Sequence, residues 1–200
     1  MEIIGENVNI KKIAITGTIA SGKSTLCDIL AKRGAYVINT DNLIHNLYFK
    51  SKEIQAKVIK EFGERILSSD EIDRSKLAEI VFNDAKSLKK LESIIHPAAI
   101  EEIKQIYRRI KNLSKYKAFV VEFPLLYEIG FDTWFDKSVV VTCDPKISQE
   151  RFDQVYGIGA YQARMKNHLT QDQKTAKADV IIENQGSPEQ LESKVDRWIL

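Results

Sequence analysis

Only two cysteines occur in the 200 residues, and Cys27 and Cys143 stand far apart in the chain. That scarcity excludes a disulfide scaffold and a cysteine-rich metal site, and leaves two reduced, semi-buried side chains with no expected catalytic role. Charge of one sign is not in excess either. Against 28 acidic residues stand 30 basic ones, for a formal net charge of +2, which is not the basic surplus that nucleic-acid binding leaves on a domain. Long hydrophobic runs are also missing. No apolar segment approaches the roughly 18 residues of a membrane-spanning helix, and the stretch from Met1 to Lys12 lacks the apolar region of a signal peptide. The expectation is a cytoplasmic protein with no nucleic-acid or membrane partner, whose small anionic ligands need no larger charge. Its 44% hydrophobic content can supply a sizeable core, as one domain or a core with insertions.

What is present is a phosphate-binding pattern. Gly17-Thr18-Ile19-Ala20-Ser21-Gly22-Lys23-Ser24 fits G-x-x-x-x-G-K-[ST]. The apolar Ile13-Ala14-Ile15 precedes it as a strand should, and Leu26, Ile29 and Leu30 follow at helical spacing. Gly17 and Gly22 permit backbone conformations and close approaches that a Cβ would obstruct, so that successive amides converge on phosphate oxygens. The helix start beside Ser24 adds unsatisfied N–H groups and the positive end of a dipole. Lys23 is expected to reach the outer phosphates, and the Ser24 hydroxyl to serve Mg²⁺. The residues expected to bind the nucleotide are Gly17, Ala20, Ser21, Gly22, Lys23, Ser24 and Thr25.

Five β-type runs appear, at Lys12 to Thr16, Tyr36 to Asn39, Ala118 to Glu122, Ser138 to Cys143 and Asp179 to Glu183. Most are continuous rather than alternating, as strands buried on both faces of a parallel sheet are, and helical segments separate them; the fold class is α/β. About 75 residues separate the second and third runs where a crossover needs only a dozen or so. This gap has helical periodicity. Ile54, Val58, Ile59 and Phe62 share a face that stops at Gly63, Asp73 and Asp84 are candidate N-caps, and Pro97 suits the first turn of a long helix. A helical lobe at the carboxyl edge of a parallel sheet is suited to a second substrate, which points to group transfer.

A second insert, from Lys146 to Lys177, is polar and has the character of a mobile lid. It carries six basic residues (Lys146, Arg151, Arg164, Lys166, Lys174 and Lys177) against three acids. Arginines in a closing lid neutralise charge on a transferring phosphoryl group and exclude water; the alternative for each is a solvated helix face. Asp41, directly after the second strand, is either a general base at the carboxyl edge of the sheet or the N-cap of a helix from Asn42 to Phe49. Glu122 and Glu128, flanking Pro124 to Leu126 at the mouth of the sheet, either order the site through water or Mg²⁺ or serve ordinary surface and capping roles. His96, before Pro97, is expected to be structural, and Phe131, Trp134 and Phe135 to pack in the core.

Along nearly its whole length the chain resembles the dephospho-coenzyme A kinases. The shared positions include the loop from Gly17 to Ser24, Asp41, Phe62-Gly63, His96-Pro97, Pro124-Leu125-Leu126, Glu128, Arg151, Arg164, Lys174, Ala178-Asp179 and Asn184. The resemblance implies a P-loop nucleoside-triphosphate hydrolase fold with a five-stranded parallel sheet. It implies a core of residues 11–41, 116–145 and 178–200, a helical coenzyme A lobe at 42–115 and a lid at 146–177. The implied reaction carries the γ-phosphoryl group of ATP to the ribose 3′-hydroxyl of dephospho-coenzyme A, the last step of coenzyme A synthesis, with Mg²⁺. Lys23, Asp41 and Arg151 match the family's catalytic positions, and Arg164 is a further nucleotide contact.

The chain also departs from that pattern. Glycines common in the family's loop are Thr18 and Ala20, so the loop must accommodate two Cβ atoms. An acidic residue two positions before the base is Asn39, which removes one charge that would order Mg²⁺. In the lid a glutamine is Ser148, a basic residue is Val155, and another glutamine is His168. Two other functions stay open on these grounds: a nucleoside or nucleotide kinase with a changed acceptor lobe, and a non-catalytic nucleotide-binding module.

Overall fold

The computed structural model describes residues 10–157 and 168–195, apart from the side chains at 49, 50, 82 and 156. The described residues form two compact units, one of residues 10–39, 110–157 and 168–195 and one of residues 40–109. The first is built on five parallel strands: β1 (Lys11–Gly17), β2 (Ala35–Asn39), β5 (Ala118–Glu122), β6 (Lys137–Thr142) and β7 (Val180–Glu183). Their order across the sheet is β2-β5-β1-β6-β7, so the five runs predicted from the sequence are the five strands of one sheet. The central strands are hydrophobic on both faces because both faces are covered. Ile13, Ile15, Val120, Val139 and Val141 join Leu26 and Leu30 of α1 (Lys23–Lys32) and Leu191 and Val195 of the C-terminal helix in one cluster. On Phe119 an aromatic group is assembled: Trp134 meets it edge-on, and Phe131 stacks on Trp134 and meets Phe135 edge-on. These aromatics are packing residues, as expected.

Helix α1 ends where Gly34, at φ 97°, makes the left-handed turn into β2. The phosphate loop lies between β1 and α1, at the carboxyl ends of the strands. The register sets its neighbours, since Glu122 of β5 is level with Ile15 of β1 and with Asn39 of β2.

The second unit is helical, with α2 (Thr40–Lys50), α3 (Lys52–Phe62), α4 (Arg74–Asn83) and α5 (Ala85–Ile110). Its core joins Ile54, Val58 and Phe62 to Ile66, Ile72, Leu77, Val81, Leu91 and Ile95. Asp73 caps α4 by accepting from Ser75 N and Lys76 N, and Asp84 accepts from Lys86 N and Ser87 N at the start of α5. Two features differ from the sequence expectation. Pro97 lies inside the single 26-residue α5 rather than opening a helix of its own. The local cost is offset because Leu91, Ile95, Ala99 and Ile103 keep one buried face running through it. A short hairpin of β3 (Leu67–Ser68) and β4 (Glu71–Ile72) also turns through Ser69 and Asp70, both at positive φ. Beyond β6 come α6 (Pro145–Tyr156) and α7 (Gln171–Thr175), and α8 (Pro188–Val195) is the C-terminal helix. Among the described residues no helix is long and apolar enough to cross a membrane.

Candidate active site

Gly17 and Gly22 are each required by a specific close approach. A Cβ on Gly17, at φ 147°, would come 2.3 Å from the carbonyl oxygen of Val141 on the neighbouring strand. One on Gly22, at φ 99°, would come 2.0 Å from the Asn184 amide. Asn184 Nδ2 in turn donates to Ser21 O at 2.8 Å, so the end of β7 braces the loop from outside. Gly22 is also the N-cap of α1 and brings no side-chain cap, which leaves the first-turn amides suited to an anion. Ala20 sits at φ 53°, a left-handed conformation that costs a residue with a Cβ about 1–2 kcal/mol. The loop therefore accommodates this departure under strain. Lys23 is buried, and its Nζ donates to Thr18 O at 2.7 Å across the loop.

Next to the loop is a carboxylate for which the sequence leaves an ordering role and an ordinary surface or capping role equally open. Glu122, only 5% exposed, accepts from Ser24 Oγ on Oε1 at 2.8 Å and from Asn39 Nδ2 on Oε2 at 2.7 Å. The available signal is its position: four apolar residues of a fully buried strand end on an acid at the carboxyl edge. A buried carboxylate and a serine hydroxyl form a hard oxygen pair suited to Mg²⁺, which takes one or two protein oxygens and fills its shell with phosphates and water. Among the described residues no three His, Cys, Asp or Glu side chains form a metal cage.

The segment after β6 is tied to this centre at both of its described ends. In α6, Ser148 is buried and donates to Ile19 O of the phosphate loop. Arg151 donates to Asn184 O at 3.3 Å and Gly186 O at 3.0 Å, and its guanidinium approaches Cys143 Sγ. At the other end Lys174 is fully buried, paired with Glu128 at 2.8 Å and donating to Pro124 O at 2.6 Å. Leu169 N donates to the same Glu128 oxygen, and Thr16 Oγ1 to Pro124 O at 3.2 Å. Lys174 is thus a structural cation matched by Glu128, not part of a free basic surface on the lid. Burial holds its ammonium below the ordinary lysine range while Glu128 opposes that shift. Burial, reinforced by Lys174 and opposed by Glu128, also holds the His168 ring below the ordinary imidazole range.

Asp41 is exposed and occupies the first turn of α2. That helix begins at Thr40, so Asp41 is a helical residue rather than its N-cap. Thr25 lies in the first turn of α1. Arg164 falls outside the described residues. Both cysteines are buried, and burial pushes the Cys27 thiol far up, leaving it protonated and unreactive.

The family model described as dephospho-CoA kinase matches residues 11–190. The dephospho-CoA kinase of Aquifex aeolicus is 38% identical over 189 residues, covering 94% of this chain and 95% of that protein. That of Chlamydia abortus is 35% identical over 192 residues, 94% of both chains. Among solved structures, the dephospho-CoA kinase of Campylobacter jejuni superposes with a TM-score of 0.61 at 28% identity, covering 94% of each chain. With the phosphate loop, the buried Glu122 and the five-stranded sheet in place, these matches establish that the chain belongs to the dephospho-CoA kinase family.

Proposed function

We propose that this protein transfers the γ-phosphoryl group of ATP to the ribose 3′-hydroxyl of dephospho-coenzyme A, giving ADP and coenzyme A. The observation that carries this reading is the joining of the phosphate loop to Glu122 through Ser24, in a chain of this family. The loop amides and the first turn of α1 bind the triphosphate. Lys23 exchanges its bond to Thr18 O for the outer phosphates. Ser24 and Glu122 hold Mg²⁺, which when bound neutralises phosphate charge.

Asp41 is assigned the proton of the acceptor hydroxyl as a general base. Arg151 is assigned to the phosphates, releasing the carbonyls of Asn184 and Gly186. Arg164 is a further nucleotide contact from the lid, the segment 146–177. Acceptor recognition belongs to the helical lobe, 42–115 with residues 40–109 forming its compact unit. The core comprises 11–41, 116–145 and 178–200. Two soluble anionic substrates suit a cytoplasmic setting.

The test is an acceptor panel. With Mg²⁺ and ATP fixed, ADP release is compared for dephospho-coenzyme A, nucleosides, nucleoside monophosphates and no acceptor. Release dependent on dephospho-coenzyme A alone is expected. Turnover on another acceptor with none on dephospho-coenzyme A would overturn the assignment, and binding of ATP without turnover on any acceptor would mark a binding module.

A further inference from the structure

Glu122 is gripped from two sides by groups of different kinds. Ser24 belongs to the helix that follows the phosphate loop and engages Oε1. Asn39 ends the neighbouring strand, level with Glu122 in the sheet register, and engages Oε2 at 2.7 Å. An ionised carboxylate only accepts, so this contact orients the Asn39 amide with its NH₂ toward Glu122 and its oxygen away. The contact is charge-assisted and belongs to a group nine-tenths buried, where such bonds are strong and unmade ones costly. A carboxylate at position 39 would bring two negative groups to the same short separation. The amide provides a neutral donor instead, and it leaves the Ser24 hydroxyl able to turn a lone pair elsewhere while Glu122 keeps its orientation.

We propose that Asn39 is a positioning residue for the divalent cation accompanying the nucleotide: its amide fixes Glu122 toward Ser24, so that one carboxylate, rather than an acidic pair, serves the metal. This rests on the reading that Ser24 and Glu122 hold Mg²⁺. Groups that orient a metal's ligands are worth about 10–100-fold in metal affinity, and Asn39 is expected to act on the metal-dependent part of binding alone.

The experiment measures ADP affinity by calorimetry with Mg²⁺ and with EDTA, in the wild-type protein, Asn39→Leu and Asn39→Asp. Asn39→Leu keeps the shape and loses the donor. Its Mg²⁺-dependent gain in affinity is expected to fall by about tenfold or more, with metal-free ADP affinity unchanged. Asn39→Asp sets two carboxylates together, so its metal-free melting temperature is expected below wild type, and Mg²⁺ with ADP is expected to raise that temperature by more than in wild type. An undiminished Mg²⁺ gain in Asn39→Leu overturns the proposal, as does an equal loss with and without metal, which would make Asn39 a general support of the fold. An Asn39→Asp protein with wild-type stability in EDTA also counts against it. If wild-type ADP affinity itself ignores Mg²⁺, the metal reading fails and takes this inference with it.

Discussion

Glu128→Ala removes the counter-ion of a lysine that has no access to water. Lys174 is fully buried, 2.8 Å from a Glu128 side chain that is itself 14% exposed. Leu169 N loses its acceptor in the same substitution. Leaving one member of a buried pair uncompensated costs about 3–5 kcal/mol, and at about 2–4 °C per kcal/mol for a chain of this length the melting temperature should fall by roughly 6–20 °C. Urea unfolding followed by circular dichroism measures the loss. The double variant Glu128→Leu with Lys174→Met, which takes both charges away, should recover most of it, because an apolar replacement of a buried pair is often neutral or stabilising. The pH dependence has a definite sign. Burial holds Lys174 below its ordinary value of 10.5, and the shift deepens without Glu128. Between the folded and unfolded values the unfolded chain binds more protons, so stability rises with pH. The deficit of Glu128→Ala should therefore shrink from neutrality toward pH 10. A loss below about 1 kcal/mol at pH 7, or a deficit that widens with pH, would refute the assignment of a buried charged pair.

Gly17→Ala should destabilise the protein by at least about 2 kcal/mol and abolish ADP binding in calorimetry, since the added methyl meets the backbone of Val141 rather than a yielding side chain. Lys23→Ala should weaken ATP binding and turnover together, whereas Asp41→Asn should depress kcat far more than ATP affinity; equal losses of binding in the two variants would remove Asp41 as the base. Arg151→Ala should lower the maximal rate in steady-state kinetics if the guanidinium engages transition-state charge, and a rate within a few-fold of wild type would confine Arg151 to its bonds with Asn184 and Gly186.

The parts of the molecule governed by local chemistry were legible in the sequence. The phosphate loop, the left-handed Gly34 and the caps Asp73 and Asp84 each act within a few residues, and the five strands are buried enough to appear as apolar runs. What escaped depends on partners distant in the chain. The role of Glu122 stays undecided between ordering the site and an ordinary surface or capping role until the ends of β2 and β5 and the start of α1 bring Asn39 and Ser24 to it. Lys174 contributes to a basic count until folding buries it against Glu128. Pro97 is a start signal by its own chemistry, and only the continuous buried face of α5 keeps it inside a helix. Ser69 and Asp70 lack the Asn-Gly pairing that announces a two-residue hairpin. The change at position 39 has a similar lesson, because a lost charge in the sequence is a hydrogen-bond donor to Glu122 in the fold.

Following the γ-phosphoryl group itself tests the central claim most directly. Purified protein is supplied with Mg²⁺, dephospho-coenzyme A and ATP labelled in the γ-phosphate, and the product is analysed by mass and by phosphorus NMR. The account predicts label in coenzyme A, on the ribose 3′ oxygen, in amounts equal to the ADP formed. Label recovered only as inorganic phosphate, or on an acceptor other than dephospho-coenzyme A, would contradict it.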